Sequence, residues 1–360
     1  MPSFRTGRVV RLIEERPGLQ RVEVDLGGAP ERAYVLPRLT GTVAPGDRVV
    51  VNTTAVELGL GTGGWHVVHW NLERDDWSEK GPGHIIKARY TSLQADVGSA
   101  EEHLDPELAG ADDVGGMPVV AAALHSQVPA VAAAFKHAAP GRRLAYVMTD
   151  GAALPLALSD LVHALVDRGL VDTTITCGHA FGGDLEAVSV YSALVVARRL
   201  AGADAAVVAM GPGIVGTNTR LGFSGIEVGP VLDAATGLGG RAIATLRISF
   251  ADERERHRGV SHHTLTALTL ATRSRVEVAV PVLGDDRDDR IRRDLADAGI
   301  AARHDLVEVE PPDVLGLFAG HGLHVVSMGR PAADDPALFL AAAAAGTLAA
   351  GRLGPPATGL

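Results

Sequence analysis

The sequence predicts an α/β protein in which a mostly parallel open sheet, with helices on both faces, follows a small antiparallel β-barrel-like domain. From Met117 onward, apolar strand-like runs alternate with segments of helical periodicity, which is the pattern of repeated βα units. Hydrophobic residues make up 46% of the 360 residues and aromatic residues only 4%, so alanine, valine and leucine must form the core, as is usual in parallel sheets. The first 72 residues instead carry short alternating runs typical of antiparallel strands.

Residues 1–80 are predicted to form the small antiparallel β domain. Its β-rich runs are separated by glycine and proline turns, and the alternation of Val22, Val24 and Leu26 indicates one buried face. Trp65–Trp70 is its last predicted strand. Residues 81–116 are predicted to be a linker and an acidic loop, which begin at the Gly-Pro-Gly breaker and include a candidate strand at His84–Thr91.

Residues 117–350 are predicted to form the α/β domain with the site, and residues 351–360 a flexible tail. Helices are expected between the strands, including Leu185–Leu200, capped by Gly183 or Asp184, and His262–Ala271, capped by Ser261. Eight βα units can also close into a (βα)8 barrel, but the long, unequal loops after the third to fifth strands favour an open sheet. The candidate strands are Pro118–Leu124, Leu144–Met148, Thr173–Cys177, Ala205–Met210, Ala242–Ile248, Val276–Leu283, Leu306–Glu310 and His324–Met328.

The charge and cysteine content restrict the class of partner and the compartment. The formal net charge is −10 and no basic block is present, which argues against nucleic acid as a partner. A single cysteine excludes an internal disulfide and fits a reducing compartment. No apolar stretch reaches the length of roughly 18 residues that suggests a membrane span. We therefore expect a cytoplasmic protein with no membrane partner, and a homo-oligomer is compatible with this sequence.

Polar residues cluster after the predicted strands, where the carboxyl ends of a parallel sheet form a ligand crevice. His125 and Ser126 follow the first strand and are predicted to bind the ligand. The pair Cys177 and His179 leaves a nucleophilic cysteine open, although a lone cysteine ending a strand is more often an apolar filler. The candidate catalytic residues are Asp150, His179, Asp184, His257 and His262.

The loop after the fourth strand matches G-x-G-x-x-G through Gly211, Gly213 and Gly216. In the dinucleotide fingerprint a helix opens inside this motif, whereas here Pro212 interrupts it and no helix is expected before about Glu227 or Pro230. NAD is therefore disfavoured as a cofactor. A phosphate or carboxylate held by loop amides is preferred, and a loop that only turns the chain is the alternative. Further predicted ligand-binding residues are Thr217, Arg220, Glu227 and Arg258.

The densest group of titratable residues lies between His257 and His263. If Ser261 caps a helix, His262 and His263 point about 100° apart, so at most one of them faces the same ligand as His257. Anion binding is the simplest interpretation. A divalent metal is compatible with the residue types, but the H-x-x-x-H and H-x-H spacings of metal sites are missing. The metal-ligand candidates are His179, Asp184, His257 and His263.

Six segments of the chain resemble a bacterial domain-of-unknown-function family, number 3866. The similarity extends from the first strand to about Gly329 and implies a soluble bacterial protein with these segments as hallmarks; it implies no activity. The segments are GHIIKARYTSLQ from Gly83, ALHSQVPAV from Ala123, YVMTDGAALPLA from Tyr146, ITCGHAFGGDLEAV from Ile175, MGPGIVGTNTRLGFSGIE from Met210 and RHRGVSHHTLTAL from Arg256.

These patterns together favour an enzyme that acts on a small anionic metabolite, bearing phosphate or carboxylate, through His/Asp acid–base chemistry at the carboxyl rim of the sheet. A hydrolase or transferase is favoured over an NAD-dependent oxidoreductase. One alternative is a metal-dependent hydrolase that uses the same His/Asp cluster. The other is a non-catalytic module that binds a ligand or a protein partner.

Overall fold

Two units, Met1–Gly98 and Ser99–Leu360, make up the chain in the computed structural model. The structure describes residues 1–60, 63–102 and 106–354. Part of the predicted acidic loop, residues 103–105, and residues 355–360 of the predicted tail lie outside the described residues. No helix in the described ranges is long and apolar enough to cross a membrane.

The first unit contains a closed five-stranded barrel with the strand order β1-β2-β3-β5-β4. All neighbouring strands are antiparallel except β3 and β5, which run parallel. Val22, Val24 and Leu26 point into the barrel core as their alternation predicts. The strands are β1 (Phe4–Arg16), β2 (Leu19–Asp25), β3 (Glu31–Val35), β4 (Arg48–Asn52) and β5 (Trp65–Asn71), with short helices α1 (Pro37–Thr40) and α2 (Thr54–Glu57).

The predicted strand His84–Thr91 is wrong in extent, because only two of its residues are extended. They form β6 (Ile86–Lys87), which pairs with β7 (Ala95–Asp96). Ala88 and Tyr90 have φ angles of 51° and 61°, in the left-handed region, and such residues cannot continue a strand.

The second unit alternates strands and helices. Its strands are β8 (Pro118–Ala121), β9 (Leu144–Thr149), β10 (Thr173–Thr176), β11 (Leu185–Glu186), β12 (Ala205–Met210), β13 (Arg241–Thr245), β14 (Ile248–Ser249), β15 (Gly259–Val260), β16 (Glu277–Pro281), β17 (Asp305–Val309), β18 (Val326–Ser327) and β19 (Arg330–Pro331). Its helices are α3 (Pro106–Ala109), α4 (Val128–Ala138), α5 (Asp160–Asp167), α6 (Val190–Arg199), α7 (Val228–Gly237), α8 (His262–Thr266), α9 (Arg287–Asp297), α10 (Val314–Gly320) and α11 (Pro336–Gly351).

Eight of these strands form one parallel sheet in the order β11-β10-β9-β12-β8-β13-β16-β17. The sheet is open, with β11 and β17 at its edges, so the predicted open α/β sheet is confirmed and the (βα)8 barrel is wrong. Both faces are buried: Val119 and Val208 belong to one apolar core and Val120 and Val207 to the other. This explains the near-continuous apolar runs of the sequence, since strands covered on both sides need not alternate.

Two predicted elements of this unit are wrong. The segment 185–200 is not one helix, because its start adds strand β11 to the sheet edge, where the Thr176 hydroxyl donates to the buried Glu186 carboxylate at 2.6 Å. Helix α6 starts only at Val190, with Ser189 as its cap. The run His324–Met328 does not join the sheet; Val325 packs against one face of it, and β18 pairs antiparallel with β19.

The strand order reverses in the middle of the sheet. After β8 the chain adds β9, β10 and β11 on one side, returns to β12 between β9 and β8, and then continues through β13, β16 and β17 on the other side. In open α/β sheets a crevice forms at the carboxyl ends of the strands on either side of such a reversal. The loops after β8, β9, β12 and β13 meet at this place.

Candidate functional site

The loops at the carboxyl ends of neighbouring strands contact one another directly. Asp150, after β9, accepts a hydrogen bond through Oδ2 from the backbone N–H of His179, after β10, at 2.9 Å. The backbone N–H of Ala153 donates to the carbonyl of Pro212, in the loop after β12, at 3.0 Å. Phe223, in the same loop, stacks on His263 after β13, with ring centroids 3.9 Å apart. The loops therefore form one continuous rim.

Three histidines, His257, His262 and His263, form what we call the histidine cluster. One ring nitrogen from each lies within 4.8 Å of the others. The expectation that at most one of the adjacent histidines faces the ligand side of His257 is therefore wrong. His257 is not on the helix: it ends the 3₁₀ turn Glu255–His257, and the hairpin of β14 and β15 brings it against both neighbouring rings, at centroid distances of 5.0 and 4.8 Å.

The bonding of His263 fixes which of its nitrogens carries the proton. Its Nδ1 lies 3.2 Å from the Nη1 group of Arg247. A guanidinium only donates hydrogen bonds, so Nδ1 accepts and the proton of the neutral ring is on Nε2. That Nε2, and the Nε2 of His262, are buried and have no hydrogen-bond partner among the residues that the structure describes. A buried N–H donor without an acceptor costs about 1–3 kcal/mol, which indicates a missing ligand atom or water.

A network of charged side chains borders the histidine cluster. Asp252 is buried and accepts two hydrogen bonds from the Arg254 guanidinium, at 2.9 and 2.8 Å. Its carboxylate also lies 4.0 Å from Arg247 and 3.6 Å from Arg330. Asp335 lies 3.4 Å from Arg330. Three guanidinium groups thus face two carboxylates, and the network carries a net positive charge.

All three rings of the cluster are uncharged at neutral pH. Burial, followed by the nearby Arg247 and Arg254, lowers the pKa of His257 to about 3. Burial, followed by the adjacent His262 and by Arg247, lowers the pKa of His263 to about 3. The pKa of His262 is also lowered, mainly by burial and then by Arg256. The cluster therefore offers neutral N–H groups and lone pairs in a positive field.

A cavity of about 390 Å³ adjoins the cluster. His262, Leu265, Thr266 and Thr269 line it at positions i, i+3, i+4 and i+7, which is one face of a helix. Helix α8 passes directly into a π-helical turn at Ala267–Ala271, a rare geometry that is frequent at functional sites. The remaining lining residues are Arg220 and Ala298.

A second group of ionisable residues, Asp150 and Glu227, lies at the same rim, and we call it the carboxylate pair. The Thr149 hydroxyl donates to Glu227 Oε1 at 2.5 Å. Burial raises the pKa of Glu227 to about 7; the hydrogen bond from Thr149 opposes this shift and the charge of Asp150 adds to it. A side chain at Gly151 would collide with the Glu227 carboxylate, and one at Gly178 with that of Asp150. A side chain at either glycine would therefore displace one of the two carboxylates.

His125 and Ser126 bond to groups from neighbouring strands. His125 Nδ1 lies 3.2 Å from both the Tyr146 hydroxyl and the Met210 carbonyl, and its Nε2 lies 2.7 Å from the Ser159 hydroxyl. Burial lowers the pKa of His125 to about 4. The Ser126 hydroxyl lies 2.8 Å from that of Ser327.

The glycine loop begins as predicted but does not open a helix, since α7 starts only at Val228. Gly211 permits close approach of the Ala153 carbonyl, and Gly213 has a φ of 103°, which favours glycine. A Cβ at Gly216 would lie 3.3 Å from the His263 ring. The Thr217 hydroxyl bonds within the loop, to Thr219 at 2.9 Å. The loop thus reaches the histidine cluster.

Two predicted residues have polar partners outside the histidine cluster. Asp184 is exposed and accepts hydrogen bonds from the backbone N–H and hydroxyl of Thr174, near the start of β10 rather than at its carboxyl end. Arg258 is exposed and faces Glu255 at 3.7 Å. The expected ligand set of His179 and Asp184 with His257 is not assembled; the group of three possible metal ligands found among the described residues contains only histidines.

Sequence reasoning missed Arg247 and Asp252, which border the cluster, and the Leu265, Thr266 and Thr269 stripe. Two signals were present. Arg247 interrupts the apolar run from Ala242 to Ile248, and a charged residue in a buried segment needs a partner. The stripe has regular helical spacing from His262 onward. Phe223 gave no comparable signal, because its stacking partner lies 40 residues away in the chain.

A metal ion does not fit the histidine cluster. Three imidazoles within 4.8 Å have the right ligand type for zinc. However, the Arg247 guanidinium donates to His263 Nδ1, so the lone pair of Nδ1 is already engaged, and the proton of the neutral ring on Nε2 leaves no lone pair there for a metal. In histidine metal sites the other ring nitrogen donates to an acceptor, which is the opposite arrangement. The positive network opposes a cation as well.

Known proteins place the chain in a family without an assigned activity. The family model described as "Protein of unknown function (DUF3866)" matches residues 32–346. The chain belongs to this family. No curated protein matches the chain significantly. The chain is also similar to a solved structure, YjeQ from Thermotoga maritima, at 11% identity with a TM-score of 0.15, covering 76% of this chain and 68% of that chain. A TM-score this low supports no inference about fold or function.

Proposed function

We propose that this DUF3866 protein is an enzyme that acts on a small anionic metabolite, of the hydrolase or transferase class, and that the histidine cluster holds the anion. The observation that carries the proposal is the buried Nε2 of His263, which carries a proton and lacks an acceptor. An anionic oxygen beside this nitrogen would accept a hydrogen bond from its N–H group. Its negative charge would also offset the net positive charge of the network that contains Arg247 and Arg254.

The acid–base role is assigned to His262 and Glu227. His262 lines the cavity and has a buried, unpartnered Nε2, and its lowered pKa keeps the ring neutral, so that it can accept a proton from a reacting group. Glu227 has a pKa of about 7, near the operating pH that suits proton transfer. The segment Phe223–Glu227 connects the two, since Phe223 stacks on the neighbouring His263.

Calorimetric titration with inorganic phosphate and with acetate tests the anion site. His263→Phe keeps an aromatic ring against Phe223 but removes both nitrogens, and we expect it to weaken binding roughly 10- to 100-fold, the range for one hydrogen bond to a charged group. His163→Gln, on the exposed surface of α5, is the matched control and should bind like the wild type.

Two further measurements separate this function from its rivals. The first is Zn²⁺ binding. If the wild type binds one equivalent and His263→Phe binds none, the cluster is a metal site and not an anion site, and a metal-dependent hydrolase is favoured. Native mass spectrometry of the purified protein identifies any retained anion, whose consumption is then followed over time. Consumption by the wild type but not by His262→Gln supports an enzyme; tight binding without consumption identifies a binding module.

A further inference from the structure

We infer that the cavity beside the histidine cluster selects an anion attached to a short apolar chain, such as a small organic carboxylate or phosphate ester, over a free inorganic ion. This inference rests on the proposed function and names its substrate class. Arg220 provides a positive charge in the cavity, and Leu265 and Ala298 provide apolar walls. One ligand that satisfies both must carry an anionic group and a hydrocarbon group.

The size of the cavity indicates how much of a ligand it can enclose. If each non-hydrogen atom takes about 30 Å³, the share of one molecule in liquid water, then 390 Å³ holds roughly a dozen atoms. This is the lower end of the range of small-molecule sites. A carboxylate or phosphate with a chain of about four to eight carbons fits this volume.

The wall of the cavity also carries threonine hydroxyl groups. The Thr269 hydroxyl donates to the Leu265 carbonyl at 2.7 Å, so its oxygen retains acceptor capacity for a ligand O–H. Thr266 and Thr269 lie on the stripe that starts at His262, so hydroxyls, imidazole and the Leu265 side chain share one wall. A ligand hydroxyl could therefore bond on the same wall that offers the Leu265 side chain to a hydrocarbon chain.

The test is calorimetric titration with straight-chain carboxylates from acetate to octanoate, with inorganic phosphate as the probe that has no chain. Each buried methylene should tighten binding roughly fourfold until the chain fills the cavity. Arg220→Gln should weaken every carboxylate about tenfold or more. Arg220 is exposed, so the variant should fold like the wild type.

Ala298→Leu adds a larger apolar side chain to the cavity wall. Because the added side chain takes the space of the ligand chain, we expect it to abolish the dependence of binding on chain length. Ala296→Leu, on the exposed side of α9, is the control and should retain the dependence. Phosphate binding with no effect of chain length would overturn the cavity inference and leave the proposed anion site standing; no binding of phosphate or of any carboxylate would overturn both.

Discussion

The histidine cluster and the carboxylate pair lie at the same rim of one sheet, and both contain groups whose pKa values are shifted toward the uncharged form, in opposite directions. In the cluster, burial and neighbouring arginines lower the pKa values of His257 and His263 to about 3. In the pair, burial and the adjacent Asp150 raise the pKa of Glu227 to about 7. Burial disfavours the charged form in both, and the neighbouring charges have the same sign as the group they act on.

The difference between the two regions lies in what each can give a ligand. The cluster presents neutral N–H groups inside a positive network, which suits the binding of an anion. The Glu227 carboxyl is close to its titration midpoint near pH 7, so it can either give or take a proton. In the proposed function, the cluster binds the anion while His262 and Glu227 transfer protons, which follows the pattern in which shifted titratable groups divide the roles of catalysis.

The largest change in stability is expected from a substitution that breaks the charged network bordering the histidine cluster. Asp252→Asn removes the buried carboxylate between three guanidinium groups, and we expect the free energy of unfolding at pH 7 to fall by about 3–5 kcal/mol, as measured by urea denaturation.

The chain contains a matched control for this change. Asp285 accepts a bidentate pair from Arg287, two residues later, as Asp252 does from Arg254, but on the surface. Exposed ion pairs contribute little, so Asp285→Asn should leave the unfolding curve nearly unchanged. Equal losses of unfolding free energy in both variants would show that burial does not strengthen the contribution of the network to stability.

The second effect concerns the carboxylate pair. The folded-state pKa of Glu227 is raised to about 7 from an ordinary 4.5, so folding is penalised progressively as pH rises from about 4.5 to 7. Glu227→Gln removes the penalty and should raise the free energy of unfolding by about 2–3 kcal/mol at pH 8, with no gain at pH 4. Thr149→Val removes the hydrogen bond that favours ionisation, so it should lower stability at pH 8. A pH-independent effect of Glu227→Gln would contradict the raised pKa.

The smallest expected effect tests the lowered pKa values of the histidines, which are shifted in the opposite direction to that of Glu227. The folded-state pKa values of His257 and His263 lie near 3, so unfolding takes up protons as pH falls below about 6.5 and stability is lost in that direction. Each histidine should contribute up to about 1.4 kcal/mol of loss per pH unit. His263→Gln should reduce the slope of stability against pH between 6 and 5 by about that amount, as measured from urea curves in one buffer series. Parallel curves for the variant and the wild type would disprove the shift at His263.

The sequence by itself determined the class of fold. It also showed that polar residues gather at the carboxyl ends of the strands. Apolar runs such as Ala205–Met210 are complete strands because burial on both faces demands continuous apolar sequence. The Ser261 cap and the late start of α7 also followed from local chemistry, since capping and turn preferences act within a few residues. The family resemblance, which the family model confirms over residues 32–346, was equally a property of the sequence.

Only the tertiary structure decided which polar residues meet. His257 joins His262 and His263 through a 3₁₀ turn and a two-strand hairpin, and no helical spacing encodes such a contact. Asp184 and Arg258 have the same residue types as productive ligands but bond to Thr174 and Glu255 instead. Local preferences set helices and strands, whereas the pairing of loops from separate strands depends on the strand order and on which buried charges find partners. The contact between Arg247 and His263 is an example, because it depends on the tertiary structure and not on local preferences.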